Sequence, residues 1–208
     1  MRRIRWEFVV LGLAALSMGA GCPLVPKISD KVIELAVGGS TTTTWGASGL
    51  IDVYSDNQTV DLSTLDLPSI ISGAGIDASD IESVKVVGIS YRVTRKDPLT
   101  TRTIQGGTVS VQRTGGAVTP LVTSFSVRVD ADSLATYQTA PLDAAGVTVL
   151  NGILADLLLD AQGTPASNTS VKYVVAGTST PVGVNSDFEW QLKLDVSIVG
   201  KKKIKVVG

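Results

Sequence analysis

FEWQLKLDVSI, residues 188–198, is the stretch whose reading decides the fold. Phe188, Trp190, Leu192, Leu194, Val196 and Ile198 are apolar at every second position. Glu189, Gln191, Lys193, Asp195 and Ser197 lie between them. A period of two belongs to a strand with one face on a core and the other in water. At about 3.3 Å per residue this strand runs to about 40 Å, well beyond ordinary strand length. The parity resumes at Ile204 and Val206, past Gly200. A strand that bends at Gly200 and continues is favoured over a hairpin, since no Asn-Gly type turn pair occurs there.

Upstream, the chain from Lys31 is rich in Val, Ile, Thr and Ser and is broken by Gly, Asn and Asp, which is strand-and-turn composition. Lys31 to Val37 reads as a strand with Ile33, Leu35 and Val37 on one side, and Leu50 to Tyr54 as a short one. In Ser83 to Thr94, residues Val87, Ile89, Tyr91 and Val93 share a face, with Lys85 on the same parity. Thr108 to Arg113, Val122 to Val129 and Ser170 to Ala176 complete the set, and Asp97-Pro98 and Thr114-Gly115-Gly116 read as turns. One segment departs from this pattern. Val147, Leu150, Ile153, Leu154, Leu157, Leu158 and Ala161 follow helical spacing over about 144–162, with Asp143 as N-cap and Gly163-Thr164-Pro165 as the stop. Asn151, Asp156 and Asp160 mark its expected wet side. A shorter turn of helix is expected at Pro68 to Ser72. The fold class expected is mainly β: an antiparallel β-sandwich or strongly curved sheet carrying one amphipathic helix.

The first residues carry a different signal. Arg2, Arg3 and Arg5 are followed by an apolar run from Phe8 to Met18, then by small residues and Cys22. A basic start, a short apolar stretch and small residues form an export signal, and the run is shorter than the roughly 20 residues of a bilayer span. Gly19-Ala20-Gly21-Cys22 resembles the lipobox of bacterial lipoproteins. That resemblance implies thioether lipidation at Cys22, cleavage just before it, acylation of the new N-terminus, and a place on the bacterial cell envelope held by membrane lipid. It divides the chain into a signal at 1–21, a tether at 22–30 and one β-rich domain at 31–208. The resemblance covers the first 22 residues only.

Composition narrows the function. The chain has 18 basic and 19 acidic residues; without Arg2, Arg3, Arg5 and Glu7 the remainder holds 15 and 18, a net charge of −3. Such an acidic body is a poor partner for nucleic acid. There is no histidine, which removes Ser-His-Asp and Cys-His catalysis, histidine-ligated metals and a histidine pH switch. Cys22 is the one cysteine, so the lipidated fold has no disulfide. Neither a cofactor nor enzymatic activity is expected. Gly73-Ala74-Gly75-Ile76-Asp77-Ala78 has the glycine spacing of a dinucleotide loop, but it follows a helix and precedes a strand, the reverse of the order required. Asp77, Asp80 and Glu82, and the Asp130/Asp132 pair, read as turn carboxylates before calcium ligands. Trp45, after Thr41 to Thr44, reads as the core anchor of a Ser/Thr loop before a sugar platform.

Two functions remain. One is a non-enzymatic, membrane-anchored envelope domain with a structural or protein-interaction role, an envelope protein being its expected partner. The other is a carrier of lipid or another apolar ligand, with Trp190, Leu192, Leu194, Leu154 and Leu158 lining either a solid core or a cavity. Lys201, Lys202, Lys203 and Lys205 fit contact with anionic lipid and a solvated strand end equally well.

Overall fold

The structure, a computed structural model, describes residues 28–99, 101–129, 136–165 and 168–207. Cys22, Asp130 and Asp132 lie outside the described residues, as do the side chains of Lys203 and Lys205. The strands are β1 (Ile28–Leu50), β2 (Val53–Asp61), β3 (Ile81–Arg95), β4 (Thr103–Arg113), β5 (Thr119–Arg128), β6 (Gln138–Thr139), β7 (Ser170–Thr180) and β8 (Asn185–Val207). Helix α1 (Leu67–Gly73) lies between β2 and β3, and α2 (Ala144–Ala161) between β6 and β7.

Two antiparallel four-stranded sheets form a mainly-β sandwich, in the orders β1-β8-β3-β6 and β2-β7-β4-β5. The even residues from Phe188 to Ile198 are all buried and the odd ones are not, as the alternation requires. The strand continues through Gly200 in unbroken register with β1. β3 reaches β8 only as far as the Ile81–Gly200 pair. Beyond it, Ile28 to Glu34 and Lys201 to Val207 form a two-stranded arm.

α2 closes the open side of the sandwich. It touches β3 of one sheet and β4, β5 and β7 of the other. Leu150, Ile153, Leu154, Leu157 and Leu158 face inward and are buried. Asp143 caps the helix by accepting the Ala145 N–H at 2.8 Å, and Gly163 ends it with a φ of 87° that favours glycine. Gly146 lets the first turn sit against β5: a Cβ there would lie 2.3 Å from the Pro120 carbonyl oxygen.

Four expectations are corrected. Val87 is exposed, because a bulge between Val86 and Gly88 reverses the parity of β3. Val84 therefore faces the core before the bulge and Ile89, Tyr91 and Val93 after it, with Lys85 and Val87 outside. Asn151 and Asp156 are not simply wet. The Asn151 side-chain oxygen accepts the Val86 N–H at 2.8 Å beside that bulge, and Asp156 pairs with Arg113. Thr41 to Thr44 lie within β1, not in a loop, although Trp45 is buried as the anchor reading required. β1 begins at Ile28, inside the segment read as tether.

Candidate functional site

Three places among the described residues carry chemistry. The first is the aromatic end of the core. Trp190 stacks on Trp45 with centroids 5.9 Å apart and meets Phe125 at 6.0 Å and Tyr54 at 6.4 Å. Its indole N–H donates to the Tyr54 hydroxyl at 2.9 Å, a hydrogen bond that ties β8 of one sheet to β2 of the other. Leu192, Leu194, Leu154 and Leu158 are buried in the same continuous core. The cavity bordered by Tyr91, Phe125, Trp190 and Leu192 measures about 10 Å³. That is room for about one water, whereas ligand sites run to several hundred Å³.

Burial sets the titration of the tyrosines here. It pushes the Tyr54 hydroxyl up to about 12, against a smaller downward pull from the Trp190 hydrogen bond. It raises Tyr173 and Tyr91 as well. A raised folded-state value gives stability that is complete below the unfolded tyrosine value of about 10 and is lost as pH rises above it. Unfolding free energies measured in urea from pH 9 to 12 are expected to fall above pH 10, by up to about 1.4 kcal/mol per pH unit for each of Tyr54 and Tyr173. Tyr173→Phe should make the decline shallower; an unchanged slope would show that Tyr173 ionises as freely in the folded chain.

The second place is a buried polar knot that the sequence reading missed. Arg102 is fully buried. Its Nη1 donates to Ser179 Oγ at 2.8 Å and the Pro181 carbonyl at 2.9 Å. Its Nη2 donates to the carbonyls of Val184 at 3.0 Å and Asn185 at 2.9 Å. Its Nε faces the Asp97 carboxylate at 3.5 Å. Asp97 in turn accepts the backbone N–H groups of Leu99 and Asp187, both at 2.9 Å. The two terminal nitrogens are thus hydrogen-bonded to groups of this chain, while Nε meets Asp97 as an ion pair without a hydrogen bond. The knot fastens the β3–β4 connection to the β7–β8 turn. Its chemistry is structural.

The third place is the outer face of β8 and the arm beyond it. Gln191, read as a wet residue, accepts from Arg92 Nη2 at 3.0 Å and from the Tyr137 hydroxyl at 3.2 Å, and donates to Thr44 Oγ1 at 3.2 Å. The Arg92 guanidinium lies 4.7 Å from the Tyr137 ring centroid. On the arm, Lys201 is paired with Glu82, which raises the lysine's titration. Lys202 points to the opposite face, near Gly75. Lys203 and Lys205 stand in register opposite Val32 and Asp30.

The other motifs resolve plainly. Gly73 to Ala78 joins α1 to the short helical turn before β3, the order that excludes a dinucleotide loop. Among the described residues, no group of three or more carboxylate, cysteine or histidine side chains could hold a metal.

No family model matches the chain, and no curated protein matches it. Among solved structures, it overlaps with tobacco necrosis virus at 12% identity, covering 85% of this chain and 87% of that one, with a TM-score of 0.28. A decameric BFDV capsid protein gives 8% identity, 81% and 99% coverage and a TM-score of 0.34. Desmodium yellow mottle tymovirus gives 8% identity, 99% and 98% coverage and a TM-score of 0.29. Likeness at this level carries no functional weight.

Proposed function

We propose that this chain is a lipid-anchored domain of the bacterial cell envelope, held at Cys22, that works by presenting a rigid surface to an envelope protein and not by catalysis. The observation that carries the reading is the close packing around Trp190. Trp190, Leu192, Leu194, Leu154 and Leu158 are all buried, and the cavity beside Trp190 and Leu192 is only about 10 Å³. An acyl chain needs far more room, so this packing favours the scaffold over the carrier. The anchor rests on the lipobox resemblance, with the two-stranded arm beginning at Ile28, close in sequence to Cys22. Lysines on the arm would gain up to about 1 kcal/mol each near anionic lipid.

The test is direct. The Cys22→Ser variant, expressed with its leader, is expected to accumulate as an uncleaved precursor that takes up no labelled palmitate. Normal processing and labelling of that variant would end the lipid-anchor reading. Native mass spectrometry of the protein from its own membrane addresses the carrier: lipid retained inside the domain, and lost in Leu154→Ala, would reverse the choice.

A further inference from the structure

β1 is the outermost strand of its sheet, and its one strand partner among the described residues is β8. Such an edge presents unpaired backbone N–H and C=O groups, and proteins guard it with charge, proline, bulges or shortness. The other edges here carry these guards. β6 is two residues long. β2 carries Asp56 and Asp61. β5 carries Pro120 and Arg128, and its register with β4 is broken by bulges. β1 has none of them from Leu35 to Leu50: that stretch contains no charged residue and no proline, and its register with β8 is unbroken.

We propose that this edge pairs with the same edge of a second copy of the chain, antiparallel about a two-fold axis near Gly38. A neutral edge has no charge to repel its own copy and none to select an oppositely charged strand. Self-pairing about a two-fold axis matches the free backbone groups on both copies at once. The limits of the paired stretch are visible. The Gln58 side chain donates to the Thr44 carbonyl at 2.8 Å, and Glu34 brings charge at the other end. Between them the stretch centres on Gly39, and Gly38 is the outward-facing residue beside that centre. The outward residues Ala36, Gly38, Ser40 and Thr42 are small, so the joined sheet stays smooth. Leu35 and Val37 face the core but are only partly buried on this edge, and a second copy would cover them further. The proposal depends on the fold and not on the lipid anchor.

A Cβ at Gly38 would meet nothing within 4 Å, so substitutions there leave the domain intact. Directly opposed residues of antiparallel strands have Cα atoms about 4.5–5.5 Å apart, within disulfide reach. In the full chain carrying Cys22→Ser, which removes the native thiol, Gly38→Cys is expected to give a disulfide-linked dimer on mild oxidation. The Cys22→Ser chain alone and Thr178→Cys in it, on the central strand β7, should not. In detergent, the unmodified chain should sediment as a dimer. Gly38→Lys should weaken that dimer by about tenfold or more, because two lysines then meet at the axis, with an unfolding midpoint unchanged at dilutions where both proteins are monomers. Absence of the Gly38→Cys dimer, equal cross-linking of Thr178→Cys, or a dimer indifferent to Gly38→Lys would each overturn the proposal.

Discussion

Arg102→Ala is expected to lose about 3–5 kcal/mol of unfolding free energy, the range for breaking a buried ion pair by removing one partner. The Asp97 carboxylate, 3.5 Å from Nε, would remain buried without its counter-charge. The carbonyls of Pro181, Val184 and Asn185 would lose the donors that now reach them. The backbone adds a further load. Thr101, a β-branched residue, is held at a φ of 81° immediately before Arg102. Such a conformation costs about 1–3 kcal/mol and persists only where its surroundings enforce it. Arg102→Lys should recover only part of the loss, because an ammonium cannot reproduce the planar fork. Equilibrium unfolding in urea measures all three proteins. A loss below about 1 kcal/mol for Arg102→Ala would show that the knot is dispensable.

Trp190→Ala is expected to cost a comparable 3–5 kcal/mol, roughly the range for truncating a buried tryptophan or phenylalanine. The change removes the stack on Trp45 and leaves the Tyr54 hydroxyl, buried between the sheets, without its indole donor. Trp190→Phe keeps most of the ring volume but not the N–H, so the difference between the two variants separates packing from the hydrogen bond. Gln191→Ala, one position along and on the opposite face, is expected to lose about 1–2 kcal/mol through the bonds from Arg92 and Tyr137. Equal losses from Trp190→Ala and Gln191→Ala, read from urea midpoints, would contradict the strand orientation.

Gln191 also marks where sequence reading stops. Alternation identified the core face of β8 correctly, since period two is a local property of the strand. It could not show that an outward polar residue would gather Arg92 from β3, Tyr137 from the segment before β6 and Thr44 from β1. The helix was legible to within a residue at each end, because Asp143 and Gly163 are local signals. β3 was misread for a physical reason: one extra residue near Val87 reverses parity, and Lys85 on the apparent apolar side was the clue. β1 lost its signal where Gly39 and Thr41 take inward positions that elsewhere hold large apolar groups. Asp97 was legible only as a turn residue and Arg102 carried no local signature, since the groups the knot joins come from the far β7–β8 turn. The lysine cluster was legible as composition, but its pairing with Glu82 depended on β3 running beside β8.

The first described strand and the last one lie side by side along the whole of β1. This adjacency governs the order of folding. The β1–β8 pairing spans nearly the full chain, so contact order is high and the entropy of closing the largest loop must be overcome before β1 gains its one strand partner. Until the C-terminal residues leave the ribosome, β1 lacks its partner β8, and its uncharged, proline-free segment stays open to other chains. Holding the polypeptide extended until β8 arrives protects the strand that begins the fold.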